Sequence, residues 1–244
     1  MCSSDLLISP DADMIALLKA ALGFAELTDG AFDPTVQPLW TLYAAHFTQE
    51  RPAPEGPSVE KLAEALSKVG YRDLKVSDDR VALLRPGGAI TLNGIAQGYA
   101  TDRVAETLRA AGLSTTLVDM GEIRAIGTKP DGAPWQVGLA DPDKPGVVNE
   151  TVDLVDRAVA TTAGAGFRFD AAGRFTHLFD PRTGRSPARY RSVSVIAPTA
   201  SEADAFSTAF SLLPVSRIRE IVAARRHVQV HLTNAKGETQ VYGA

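Results

Sequence analysis

At 244 residues, 45% hydrophobic and 22% charged, the chain can bury a sizeable core and has the composition of a globular protein. A formal net charge of −4 without any Lys/Arg block excludes a general nucleic-acid binder. No apolar run approaches the length of a bilayer crossing, and one cysteine, Cys2, excludes an internal disulfide framework and a cysteine-based zinc site.

The opening residues Met1-Cys2-Ser3-Ser4-Asp5-Leu6 lack the charged, apolar and cleavage regions of an export signal. They read like translated adaptor DNA, so residues 1–6 are expected to be non-native and Cys2 to have no role. Asp13 to Ala25 carries a helical apolar stripe through Met14, Leu17, Leu18, Ala21 and Leu22. In the following stretch, Thr28 to Trp40, Pro34 suits the first position of a helix capped by Asp33, and Pro38 limits its length. A proline-rich loop over 49–57 leads to an amphipathic helix at Val59 to Val69. Strands are predicted at 74–76, 80–84 and 89–92, then a turn at Asn93-Gly94 and a helix that Asn93 would cap. Further strands are expected at 115–119, 123–128, 135–140, 152–159, 166–169 and 192–197. Helices follow at 201–213 and 215–224, and a hairpin at 228–232 and 239–242 closes the chain. Short hairpin-linked strands interspersed with helices predict one α+β unit, with mostly antiparallel sheets and flanking helices, and not a doubly wound parallel sheet.

Three stretches could carry chemistry. The glycine-bearing turn Asn93-Gly94 before a helix is either an ordinary connection or an anion site formed by free N–H groups and the helix dipole. On the helix over 201–213, Asp204, Ser207 and Thr208 share one face. They are either a polar stripe or a hard-oxygen set suited to Mg²⁺, and the apolar neighbours of Asp204 imply a buried carboxylate that needs a partner. His177, upstream of the turn Asp180-Pro181-Arg182-Thr183-Gly184, is either structural or a general base. His227 and His231 are expected to point outward with Gln229 on the last hairpin, and His46 to lie in a surface segment. Dinucleotide, P-loop, Gly-x-Ser-x-Gly and His-Glu-x-x-His motifs are absent.

Six blocks in order resemble the ApbE-type flavin transferase family. Thr28-Asp29-Gly30-Ala31-Phe32-Asp33-Pro34-Thr35 resembles its T-G-G-A-F-D-P-T block, and Thr91 to Asp102 its D-L-x-x-I-A-K-G-Y-A-V-D block. Val118 to Arg124 resembles N-L-G-G-D-I-R and Ala158 to Gly164 resembles A-V-A-T-S-G. His177 to Gly184 resembles H-I-L-D-P-R-T-G, and Ala203 to Ala209 resembles A-D-A-L-A-T-A. The resemblance implies one ApbE-like domain over 1–244 that lacks the family's N-terminal portion, and a Mg²⁺-dependent transfer of FMN from FAD to a threonine or serine hydroxyl of a target flavoprotein subunit of a redox system, with release of AMP. It further implies Mg²⁺ ligands at Gly94 (carbonyl), Asp204, Ser207 and Thr208, a catalytic base at His177, and FAD contacts at Thr91, Gln97 and Leu178. By the same resemblance the protein would work in the periplasm or on the outer face of the cytoplasmic membrane. Thr91 and Gln97 replace the family's Asp and Lys, which leaves that part of the FAD site neutral. Two other activities are compatible with the motifs: FAD pyrophosphatase, with water as acceptor, and flavin binding or chaperoning without turnover.

Overall fold

The computed structural model describes residues 5–144 and 146–243; Met1 to Ser4, including Cys2, lie outside the described residues. The chain groups into two compact units, Met1–Leu92 with Phe167–Ala188, and Asn93–Gly166 with Arg189–Ala244. Both mix helices with antiparallel strands, as the α+β reading expects.

The first unit contains β1 (Asp5–Ile8), α1 (Ala12–Leu27), α2 (Gln37–Phe47), α3 (Val59–Ser67), β2 (Leu74–Val76) and β3 (Arg80–Leu83). Asp11 caps α1 by accepting from the Asp13 N–H at 2.8 Å, and α1 buries Leu17, Leu18, Ala21 and Ala25. The strands form a sheet of order β1-β3-β2. Its core joins Leu18 and Leu22 of α1 to Leu74, Val81 and Leu83. A second core is largely aromatic. Tyr43 of α2 lies 5.0 Å from Phe179, 5.7 Å from Phe175 and 5.9 Å from Phe169 between ring centroids, and its hydroxyl donates to the Gly184 carbonyl at 3.0 Å.

Two expectations fail in this unit. No helix starts at Pro34: α2 begins at Gln37, with Pro38 in its first turn, where a missing N–H leaves no bond unmade. Asp33 instead accepts from the Thr35 N–H (2.8 Å), the Thr35 hydroxyl (2.6 Å) and the Tyr71 N–H (3.0 Å), so it ties a turn to a distant segment. Residues 89–92 form no strand; Ile90 and Leu92 pack against the sheet core while the Thr91 N–H donates to the Pro34 carbonyl at 2.8 Å. The segment expected as a strand at 166–169 is reduced to an isolated bridge between Arg168 and Thr176.

The second unit holds α4 (Ala96–Ala110), β4 (Thr116–Asp119), β5 (Ile123–Ile126), β6 (Trp135–Ala140), β7 (Val148–Leu154), β8 (Ala158–Thr162), β9 (Ser192–Ala197), α5 (Ala200–Leu212), α6 (Val215–Ala223), β10 (Gln229–Thr233) and β11 (Thr239–Tyr242). Six strands form an antiparallel sheet of order β11-β10-β9-β8-β5-β4. β9 is buried throughout because both its faces are covered: α5 lies against one, and the β6–β7 hairpin packs Val137, Leu139, Val152 and Leu154 onto Val159 and Ile196 of the other. The single strand expected at 152–159 is two strands, β7 and β8, because Asp156 turns the chain at φ 50°. His231 is buried, 5% exposed, and not outward as expected. Its Nδ1 lies 2.8 Å from Glu150 of β7, so the hairpin covers the face that alternation alone assigns to solvent.

Candidate active site

α5 starts at a Thr199 cap, whose hydroxyl accepts from the Glu202 N–H at 3.2 Å. The helix is apolar nearly all round and buried, and Asp204 is carried inward with it at 5% exposure. One carboxylate oxygen accepts from the Gly98 N–H of α4 at 3.1 Å. Ser207 donates to the Asp204 carbonyl at 2.9 Å, and its oxygen lies 2.6 Å from Thr162 Oγ1 of β8. The single Ser207 proton being committed to that carbonyl, Thr162 is the donor to Ser207. Thr208, one turn beyond Asp204, is half-buried.

A residue absent from the sequence-based set joins this group. Glu122, at the β4–β5 turn, is 9% exposed, and its carboxyl accepts from the Thr161 N–H. Burial, then the nearby charge of Asp204, pushes Glu122 up to about 8, while burial raises Asp204 to about 7 against the opposing Gly98 hydrogen bond. Among the described residues no Lys, Arg or His pairs with either carboxylate. Only the fold joins Glu122 to Asp204; in the sequence Glu122 stands within the Val118–Arg124 block with no role attached to it.

No three His, Cys, Asp or Glu side chains converge into a metal cage among the described residues. The donor set is instead two buried carboxyls beside serine and threonine hydroxyls, without a neutralising cation. That chemistry fits Mg²⁺, a hard ion that takes one or two carboxylates and leaves its other positions to water and phosphate oxygens.

Gly94 and Gln97 lie at the entrance to α4. Asn93 is not the cap: the helix begins at Ala96, and Ile95 occupies the cap position without a side-chain bond. Gln97 is exposed and lies over the β4–β5 turn, its amide nitrogen 2.6 Å from where a Cβ on Gly121 would stand. With φ 100°, Gly121 admits no other residue there without strain.

The remaining candidates belong to the first unit. Thr91 is half-buried and tied to Pro34 through its N–H, as described above. The His177 N–H donates to the Phe167 carbonyl at 3.3 Å, and ring Nδ1 lies 3.2 Å from the same oxygen. Nδ1 must therefore carry the proton, and the neutral ring presents Nε2 as an acceptor. Burial lowers the His177 pKa below its ordinary 6.5, which favours that neutral form. The Phe167 ring stands edge-on to His177 at 6.4 Å. Leu178 is half-buried, and the Asp180 carboxylate folds back onto the Arg182 N–H (3.0 Å) and guanidinium (2.9 Å) to shape the turn that follows.

The sequence pattern of the ApbE family matches residues 4–232. The chain belongs to the ApbE family. Within that family it is 32% identical over 235 residues to the FAD:protein FMN transferase of Escherichia coli strain K12, covering 93% of this chain and 66% of that protein. It is 34% identical over 223 residues to the FAD:protein FMN transferase of Treponema pallidum, covering 83% of this chain and 60% of that protein. The ApbE-family chain thus spans about two thirds of the length of the curated relatives it matches. The crystal structure of the ApbE protein of Thermotoga maritima superposes with a TM-score of 0.85 at 34% identity, covering 96% of this chain and 77% of that one. The flavin transferase ApbE of Vibrio cholerae superposes at 0.80 with 27% identity, covering 97% and 76%. The α+β architecture is therefore that of known ApbE structures. No helix among the described residues is long and apolar enough to cross a membrane.

Proposed function

We propose that this ApbE-family chain transfers FMN from FAD to a threonine or serine hydroxyl of a target flavoprotein, releasing AMP. The observation that carries the reading is the pair of buried carboxyls, Asp204 and Glu122, close enough for the charge of one to act on the other, with no Lys, Arg or His paired to either among the described residues. Such a group is unfavourable by itself and becomes favourable when a divalent cation with phosphate oxygens completes it. The activity named for the relatives from Escherichia coli and Treponema pallidum supplies the substrate that fits: a pyrophosphate carried by a flavin.

In this reading Asp204, Ser207 and Thr208, with the Gly94 carbonyl, hold Mg²⁺. When bound, the ion would spread the charge that develops on the phosphate oxygens. Thr91, Gln97 and Leu178 contact FAD and hold it in place, neutral side chains standing at the first two positions. The acceptor hydroxyl attacks the FMN phosphorus, the bond to the AMP phosphate breaks, and the hydroxyl proton passes to His177 Nε2. Burial keeps that nitrogen unprotonated near neutral pH, as the role requires. The acceptor is read as a flavoprotein subunit of a redox system, and the workplace as the periplasm or the outer face of the cytoplasmic membrane.

The test is in-gel flavin fluorescence under denaturing conditions after incubation with FAD, Mg²⁺ and an acceptor flavoprotein subunit. Labelled acceptor is expected with wild type, none with Asp204→Ala, and little with His177→Ala despite normal FAD binding. AMP with free FMN and no label would favour the pyrophosphatase activity; bound FAD with no AMP would favour a binding protein.

A further inference from the structure

Besides the donors themselves, a second buried polar centre lies at the base of α5. Asp102 of α4 is 5% exposed, and each of its oxygens accepts two hydrogen bonds. One takes the Ala200 N–H (2.8 Å) and Arg124 Nη1 (2.6 Å); the other takes the Ser201 N–H (2.8 Å) and the Ser201 hydroxyl (2.6 Å). Arg124 of β5 is itself buried, with 10% side-chain exposure. Ala200 and Ser201 are the first two residues of α5, and Asp204 follows one turn later. On α4, Gly98 lies one turn before Asp102 and donates its N–H to Asp204. The two helices are therefore clamped twice, Asp102 to 200–201 and Gly98 to 204. A Cβ on Gly98 would stand 2.4 Å from the Ala200 carbonyl oxygen, which fixes how closely they cross.

We infer that Asp102, neutralised by Arg124, is a positioning residue that sets the axial position and rotation of α5 and thereby aims Asp204 at the cation. The inference rests on the metal-binding role proposed above for Asp204. A buried ion pair is a poor way merely to join two helices, because desolvation offsets most of its attraction and a well-packed apolar pair of equal volume holds as firmly. It does what apolar packing does not: three directional bonds from the first turn of α5 to one carboxylate, itself held by Arg124 of β5, permit a single rotation of α5. The donors at Asp204 and Ser207 then reach the cation without reorganising, in the way that outer-shell partners tune metal ligands.

The experiment measures Mn²⁺ binding to the full chain by electron paramagnetic resonance for wild type, Asp102→Asn, Arg124→Lys and Ile218→Val, together with thermal midpoints and the Gly98 amide resonance, for which Asp204→Asn supplies the reference without the carboxylate acceptor. Ile218, fully buried in α6, supplies a variant destabilised by packing alone. Asp102→Asn keeps the shape but loses acceptor capacity, and a 10- to 100-fold loss of Mn²⁺ affinity is expected, of the order seen for outer-shell partners. Arg124→Lys should lose less, and Ile218→Val none at all despite its lower midpoint. A folded Asp102→Asn protein that binds Mn²⁺ as wild type does, or an equal loss in Ile218→Val, would overturn the inference. If wild type binds no Mn²⁺, the metal role of Asp204 falls, and the Gly98 resonance decides the positioning claim. A shift in Asp102→Asn toward its position in Asp204→Asn sustains it, and an unmoved resonance refutes it.

Discussion

Replacing Asp204 by Asn isolates what the buried carboxylate costs the protein when no cation is bound. Burial raises its pKa from 3.8 to about 7. A carboxyl that holds its proton more tightly folded than unfolded releases it on unfolding, so its contribution falls as pH rises between the ordinary carboxyl value and about 7. Below pH 4 the carboxyl is protonated in both states and the effect vanishes. Above pH 7 the full cost applies, an upper figure of roughly 4 kcal/mol at about 1.4 kcal/mol per tenfold. Asn keeps an oxygen for the Gly98 N–H but brings an amide that must find acceptors, so a net gain of about 2 kcal/mol at pH 8.5 is expected. Urea unfolding of EDTA-treated protein between pH 4 and 8.5 would show it. Wild type should lose stability across that range more steeply than Asp204→Asn, and millimolar Mg²⁺ should restore wild type only. A metal-free Asp204→Asn protein less stable than wild type at pH 8.5 would refute the reasoning, for the carboxylate would then have a compensating partner.

Three further outcomes follow from the same structure. Gly98→Ala puts a methyl 2.4 Å from the Ala200 oxygen and should cost about 3 kcal/mol in urea unfolding while weakening Mg²⁺ binding, since α5 must move to admit it. Asp33→Ala leaves the N–H groups of Thr35 and Tyr71 without their acceptor and should destabilise by about 2–4 kcal/mol; a change below about 0.5 kcal/mol would mean that water replaces the carboxylate. His177, held neutral by burial, should titrate by NMR below 6.5, and transfer should fall as pH drops through that midpoint but stay flat above pH 7; a midpoint above 6.5 would remove the basis for its role as a base.

Much of the architecture was legible because its signals are local. The helical stripe of α1, the apolar α5 and the closing hairpin follow from periodicity and turn residues alone. The failures share a cause, which is that tertiary partners decide between locally equivalent conformations. Asp33 has the sequence context of a helix cap, yet the Tyr71 N–H, far along the chain, claims its second oxygen. His231 alternates with the inward-facing Val230 and Leu232, a pattern that assigns it to solvent, yet the β6–β7 hairpin covers its face of the sheet. In the candidate site, Asp204, Ser207 and Thr208 were visible because one helix carries them. Glu122, Thr162 and Asp102 were not, because strand pairing and helix crossing bring them in from elsewhere in the chain.

The central claim is that the chain moves FMN from FAD onto a protein hydroxyl. Its most direct test is the intact mass of an acceptor flavoprotein subunit after incubation with the purified chain, FAD and Mg²⁺, with nucleotides quantified by chromatography from the same tube. The acceptor should gain the mass of FMN less one water, with one AMP released per flavin attached, and neither should appear with EDTA. An unmodified acceptor alongside stoichiometric AMP and free FMN, or intact FAD with no AMP at all, would contradict the account.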